Sequence, residues 1–256
     1  MDHTILTCKN IIKKSKRIIV LTGEGISTES GIRDFRSKSG LYRMAPEYML
    51  SLEYFYENPS EFYQFAIENL YHPEAVPNIG HEILAKWERE GLVSHIITQN
   101  IDGLHQEAGS KNVIEFHGTM ETASCMNCGQ KYTVDEMAKR MKVTKTFYVC
   151  NHCEADEESG HYIKPDVVLF GDAGEWFTEE NFRYILDLIQ QADCLLVLGT
   201  SLNVTPFSLF PRYKNPDVPV IIINKGNTPF DTMPNTYVLQ FSIGKALTEI
   251  DRDISQ

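Results

Sequence analysis

Two cysteine pairs, Cys125-Met126-Asn127-Cys128 and Cys150-Asn151-His152-Cys153, flank the stretch 129–149. A C-x-x-C knuckle lets two thiolates reach one ion, and four sulfurs complete a tetrahedral zinc shell. Such a closed shell leaves no position for water or substrate, so the expected role is structural, in a module too small to fold without its metal. A redox dithiol and buried unligated thiols are the alternatives, and His152 is a substitute ligand if one sulfur drops out. Cys8 and Cys194 read as apolar core residues.

A second group of residues reads as a phosphate cradle. The run Arg17–Thr22 (RIIVLT) leads into Gly23-Glu24-Gly25-Ile26-Ser27-Thr28. Glycines at a strand-to-helix turn let backbone approach a pyrophosphate, with helix N-terminal amides facing it. The third glycine of G-x-G-x-x-G is absent, because Thr28 takes its place. Gly199-Thr200-Ser201 repeats the arrangement after Cys194–Leu198. Polar residues follow two further runs: Gln99-Asn100-Ile101-Asp102 after Val93–Thr98, and His117-Gly118 after Val113–Phe116. Amide, carboxylate and imidazole thus converge on the rim where an open α/β sheet places its ligand, and histidine suits proton transfer near neutral pH.

The elements that must position these groups alternate along the chain. A helix is expected over 5–16, a second over 61–70 with Asn58 as N-cap and Pro59 in its first turn, and a third after Asn78 that Gly91 closes. Thr133 to Glu136 has capping-box spacing, and Thr178 opens a helix to Gln191. Strands are expected at Val218–Ile223 and Tyr237–Phe241 as well. Apolar strands between amphipathic helices predict a parallel sheet covered on both faces. The stretch Cys125 to Tyr162 is polar and reads as a loop-like insert.

Of 256 residues, 24 are Lys or Arg and 35 Asp or Glu, a formal charge of −11. With no basic cluster to offset it, this surface repels nucleic acid and anionic lipid, so neither is an expected partner. No run approaches the roughly 20 apolar residues of a membrane span. Lys9, Lys13, Lys14 and Lys16 interrupt the N-terminal stretch, which predicts no signal peptide and a cytoplasmic location.

The motifs GEGISTESGIRDFR (23–36), TQNIDGLHQEAG (98–109), His117-Gly118, the cysteine quartet, KPDVVLFGD (164–172), GTSLNVTP (199–206) and Ile223-Asn224 together resemble the sirtuin family of NAD-dependent protein deacylases. The resemblance spans nearly the whole chain and is closest to the short bacterial and archaeal members. It implies an α/β fold with a Rossmann-type NAD-binding domain (1–35, 80–118 and 166–256), a helical module (36–79) and a zinc-binding module (119–165). It further implies one structural zinc on Cys125, Cys128, Cys150 and Cys153, and NAD as co-substrate.

In the reaction so implied, the acyl-lysine oxygen attacks C1′ of the nicotinamide ribose, nicotinamide leaves and an alkylamidate forms. His117 acts as general base on the ribose, Asp102 accepts from the nicotinamide amide, and Asn100 holds a ribose hydroxyl or water. The products are free lysine, nicotinamide and O-acyl-ADP-ribose. The cofactor contacts implied are Gly23, Glu24, Gly25, Thr28, Asp34, Phe35, Arg36, Gln99, Asn100, Ile101, Asp102, His117, Gly199, Thr200, Ser201 and Asn224. Phe35 covers the reacting ribose face against water. An acyl-lysine peptide adds as a strand between 170–172 and 202–204, meeting Val168, Phe170, Gly171, Asn203 and Val204.

The chain departs from the family pattern at Glu24, where Ala is usual, and at Arg33, where Pro is usual; the cation offsets the carboxylate, or both are tolerated surface changes. The Tyr-x-x-Arg that binds acidic acyl groups is replaced by Ala66 and Asn69, which implies preference for acetyl or other neutral groups. Rival readings are ADP-ribosyl transfer or NAD hydrolysis on the same site, and a non-catalytic NAD or acyl-lysine binder. A hydride-transfer dehydrogenase is disfavoured by the zinc insert and the missing glycine.

Overall fold

Runs of β-branched and leucine residues set the frame. In a computed structural model, which describes residues 3–35, 40–41, 46–145, 147–153, 162–252 and 254, every residue of β1 (Ile18–Thr22) is buried. Helix α1 (His3–Lys14) precedes it. Helices α2 (Leu52–Glu57), α3 (Pro59–Asn69) and α4 (Ile79–Arg89) lead to β2 (Val93–Thr98), the single turn α5 (Leu104–Glu107) and β3 (Val113–Glu115). Then come β4 (Gly118–Cys125), β5 (Lys131–Thr133), α6 (Val134–Met141), β6 (Ile163–Val167), α7 (Glu179–Gln190), β7 (Cys194–Leu198), β8 (Val220–Ile223), β9 (Thr236–Leu239) and α8 (Ile243–Asp251).

Six strands form one sheet in the order β3-β2-β1-β7-β8-β9, every pairing parallel. This is the doubly wound order whose direction reverses between its first and fourth strands, here β1 and β7, and a ligand is received outside the strand ends at that switch. Strand alternation divides the core between the two faces. Ile18, Val20, Leu196 and Leu198 pack with residues of α1, α4 and α8, while Ile19, Leu21, Leu195 and Val197 pack with residues of α7. A third cluster joins Phe55, Phe62 and Tyr63 to Met120, Val134, Phe147, Cys150 and Ile163, so the segments around α2–α3 and β4–β6 share one core.

The structure corrects several expectations. Within the stretch 125–162 the structure adds the short strand β5, which pairs antiparallel with β4; β4 in turn pairs with β6 just beyond the stretch, and β5, with no buried residue, carries little pattern. After Gly23 the chain forms a 3-10 segment, Glu24–Ser30, rather than an α-helix. Asn58 makes no side-chain cap bond, so Pro59 alone marks that helix start. Thr133 and Thr178 cap as expected, and Asn78 forms a capping box with His81. The last two strands lie at 220–223 and 236–239, and α8 went unread although Ile243, Ala246, Leu247 and Ile250 give it a buried stripe. Among the described residues, no helix is long and apolar enough to cross a membrane.

Candidate active site

A cleft of about 540 Å³ opens where β1, β2 and β3 end, against the segment 167–172 that leaves β6. Of the expected site residues, Glu24, Phe35, Gln99, Asn100, Ile101, Asp102, His117, Val168, Phe170, Gly171 and Val204 line it. Long-range hydrogen bonds fix its floor. The Ser27 hydroxyl donates to the Asp102 carboxylate at 2.6 Å and accepts from Asn100 Nδ2 at 3.0 Å. The backbone N–H of Leu104 donates to the second Asp102 oxygen at 3.1 Å. One hydroxyl therefore holds amide and carboxylate in register. Ser27 is fully buried, and the sequence reading assigned it no role; its only local signal is a hydroxyl inside a turn that otherwise packs.

The glycines bring two turns together. A Cβ on Gly25 would stand 2.6 Å from Gly199 Cα, and one on Gly23 would stand 2.8 Å from Thr200 Cβ. Gly25 N–H donates to the Gly199 carbonyl at 2.8 Å, and Gly199 has φ +60°. These glycines let the β1 and β7 turns touch each other, under the rim. The Thr200 hydroxyl donates to Gln99 Oε1 at 2.6 Å, and that of Thr28 to the Gly25 carbonyl at 2.9 Å. The Asn224 amide donates to the Gly226 carbonyl at 3.0 Å, and Asp34 receives Leu41 N–H on its main-chain oxygen. Gly23, Gly25, Thr28, Asp34, Gly199, Thr200, Ser201, Asn203 and Asn224 are not among the described residues that line the cleft. Arg36 lies outside the described residues.

Behind the floor sit two histidines that the sequence reading passed over. His81 and His105 are buried with ring centroids 4.9 Å apart. Asn78 N–H donates to His81 Nδ1, which fixes the neutral Nε2–H tautomer. Burial pushes His81 down to about 4 against the pull of Asp102 and Glu29, and burial holds His105 well below the usual range, with His81 adding to it.

The 167–172 segment is pinned to its surroundings. Val168 N–H donates to the His117 carbonyl at 2.8 Å. Phe170 pairs with the chain before α2: its N–H donates to Leu50 O and its carbonyl accepts from Leu52 N–H, both at 2.9 Å. The main-chain N–H and carbonyl of Phe170 are therefore both taken up. Glu68 and His72 also line the cleft, neither assigned there from sequence, as does Arg33, which the sequence reading set against Glu24.

The four cysteines converge. Their sulfurs all lie within 4.8 Å of one another, with Cys125–Cys153 and Cys128–Cys150 each at 3.8 Å. Zinc–sulfur bonds of about 2.3 Å in a tetrahedron put sulfurs about 3.8 Å apart, so the quartet fits that ion. The Tyr132 hydroxyl lies 3.2 Å from Cys150 Sγ, and the backbone N–H groups of Cys128 and His152 point at Cys125 and Cys150 sulfurs. His152 thus contributes its backbone, and its ring is not part of the cluster.

Fold and cleft together define a doubly wound nucleotide-type α/β protein with a four-cysteine module whose outgoing segment lines the cleft. Residues 23–206 match the Sir2 family, and the chain belongs to that family. It is 42% identical over 236 residues to an NAD-dependent protein deacetylase of Listeria monocytogenes, covering 90% of this chain and 96% of that one. It is 39% identical to one from Thermotoga maritima, covering 87% of each. A solved Sir2 chain with p53 peptide and NAD+ superposes with TM-score 0.82 at 34% identity, covering 95% of both. Another, with deacetylated p53 peptide and 3'-O-acetyl ADP ribose, superposes at 0.85, also at 34% identity, over 96% of both.

Proposed function

We propose that this chain is an NAD-dependent protein lysine deacetylase, moving the acyl group from lysine to ADP-ribose with release of nicotinamide. The reading is carried by the meeting of His117, Asn100 and Asp102 in one cleft beside the segment 167–172. Ser27 holds Asp102 in place, so its carboxylate is positioned to accept from a carboxamide, and Asn100 is held to present its oxygen to a hydroxyl or water. His117, half-buried at the end of β3, takes the proton from a ribose hydroxyl in this reading. The bond from Val168 N–H to the His117 carbonyl ties the segment that would receive the peptide to the base's own main chain. Phe35 excludes water from the reacting face.

Zinc on the cysteine quartet supplies bracing alone, since four sulfurs leave it no open position. We place the enzyme in the cytoplasm, because its described thiols are accounted for by a metal shell and by the core. The test is incubation with acetyl-lysine peptide and NAD, followed by mass spectrometry, with His117→Ala alongside. Free lysine peptide, nicotinamide and O-acetyl-ADP-ribose are expected from the wild type only. NAD consumption without deacetylation, or ADP-ribose attached to protein, would overturn the reading.

A further inference from the structure

Lys164 lies on β6 opposite Ser124, one residue from the zinc ligand Cys125, and is largely buried with a side chain 13% exposed. Its ammonium has three donors, and three acceptors surround it: Pro165 O at 3.0 Å, Val167 O at 2.7 Å and the Asp172 carboxylate at 2.9 Å. All three belong to β6 and the segment that follows. The lysine curls back under its own chain and ties residue 172 to residue 164, closing Val168–Gly171 into a short loop. The loop's other ties run outward, from Val168 to the His117 carbonyl and from Phe170 to Leu50 and Leu52. Without Lys164, Asp172 would lose this ion pair, leaving at that end the Asp172 N–H on the Leu169 carbonyl and the Phe170 bonds to Leu50 and Leu52.

We propose that Lys164, through Asp172, is a positioning residue for acyl-lysine peptide binding: it fixes the 168–172 loop, which turns at Gly171, in the shape that accepts an added strand. The proposal rests on the reading above that this loop receives the peptide. Such a role is separable from bracing of the zinc module, because the ammonium's partners lie in the loop and the sulfurs lie elsewhere.

The experiment measures steady-state KM for acetyl-lysine peptide and for NAD in the zinc-loaded full chain. K164M is expected to raise the peptide KM about tenfold, the effect of losing charge-assisted hydrogen bonds, with the NAD KM within about twofold. K164R is expected between the two, since its planar fork keeps the charge but cannot meet three convergent acceptors. D172N, which keeps an acceptor but not the charge, is expected to raise the peptide KM about threefold. Zinc content is expected to stay equal in all variants, and calorimetric titration with peptide measures binding directly.

F170A separates the two levels of the argument. A raised peptide KM in F170A with none in K164M overturns the role of Lys164 alone, and no change in either overturns the loop as the peptide site. Equal loss of peptide and NAD kinetics, or loss of zinc, would make Lys164 a plain structural brace and also overturn the proposal. If K164M fails to fold, an unchanged peptide KM in D172N does so by itself.

Discussion

In the six-stranded sheet, β1 and β7 bury all their residues; in the three-stranded sheet, β5 buries none and β4 only three of its eight. The first sheet is covered by helices on both sides and holds together by apolar burial. The second borrows its core from α2 and α3 and gathers four sulfurs where a larger domain would have placed more side chains. The difference bears on function, because the cleft draws its polar floor from the first sheet and the 167–172 segment from the second. In the proposed function, the helix-covered region supplies the chemistry, and the cysteine-bearing one supplies the edge that meets the substrate.

The sharpest way to break this contrast is to remove the metal. Chelation, or Cys150→Ser, is expected to forfeit on the order of 10 kcal/mol of binding-coupled folding in the small module. Hydrogen exchange should then show lost protection in β4–β6 while β1, β7 and β8 stay protected, and deacetylation should vanish. Uniform protection loss would mean that the two regions fold as one. His117→Ala probes the other region: turnover is expected to fall by about 10²–10⁴-fold with NAD affinity, measured calorimetrically, unchanged.

Gly199→Ala tests whether the two glycine turns must touch. A Cβ there would meet Ile26 N at 2.5 Å and Gly25 Cα at 2.7 Å, from a left-handed backbone, and a loss of about 2–4 kcal/mol in thermal or urea unfolding is expected.

Acid should weaken the floor of the cleft before the metal module's core. His81 falls from 6.5 when free to about 4 in the fold, so the unfolded chain takes up the proton first. Stability is complete above pH 6.5 and is lost as pH falls toward 4, by about 2 kcal/mol at pH 5 on this group's account. Unfolding midpoints across that range check the sign, and His105→Gln should flatten the slope. The smallest effects are expected at the rim, where Glu24→Ala and Arg33→Pro should each move the NAD KM by less than about threefold, since solvent screens half-buried Glu24 and exposed Arg33. Opposite shifts that cancel in the double variant would instead establish the Glu24–Arg33 compensation. Succinyl-lysine turnover exceeding acetyl-lysine turnover would refute the neutral-acyl preference that Ala66 and Asn69 imply.

Much of the frame was legible in the residues. RIIVLT and CLLVL could only be buried strands, and each lies within a residue of its expected bounds. The cysteine quartet was legible because each C-x-x-C fixes two ligands within one turn. The antiparallel strands of the insert were not, since half-exposed strands carry a weak pattern. Nor was the burial of His81 and His105, whose meeting depends on how α4 packs against α5.

By itself the sequence determined the parallel sheet, the metal ligands and the polar residues that follow each strand, because these depend on side-chain type and on spacing of a few residues. Only the tertiary structure decided that Ser27 would hold Asp102 and Asn100 from 75 and 73 residues away. It also decided that Gly25 would serve Gly199 and that Phe170 would spend its main chain on Leu50 and Leu52. Contacts at such separations follow from strand order and module docking, which local spacing does not encode.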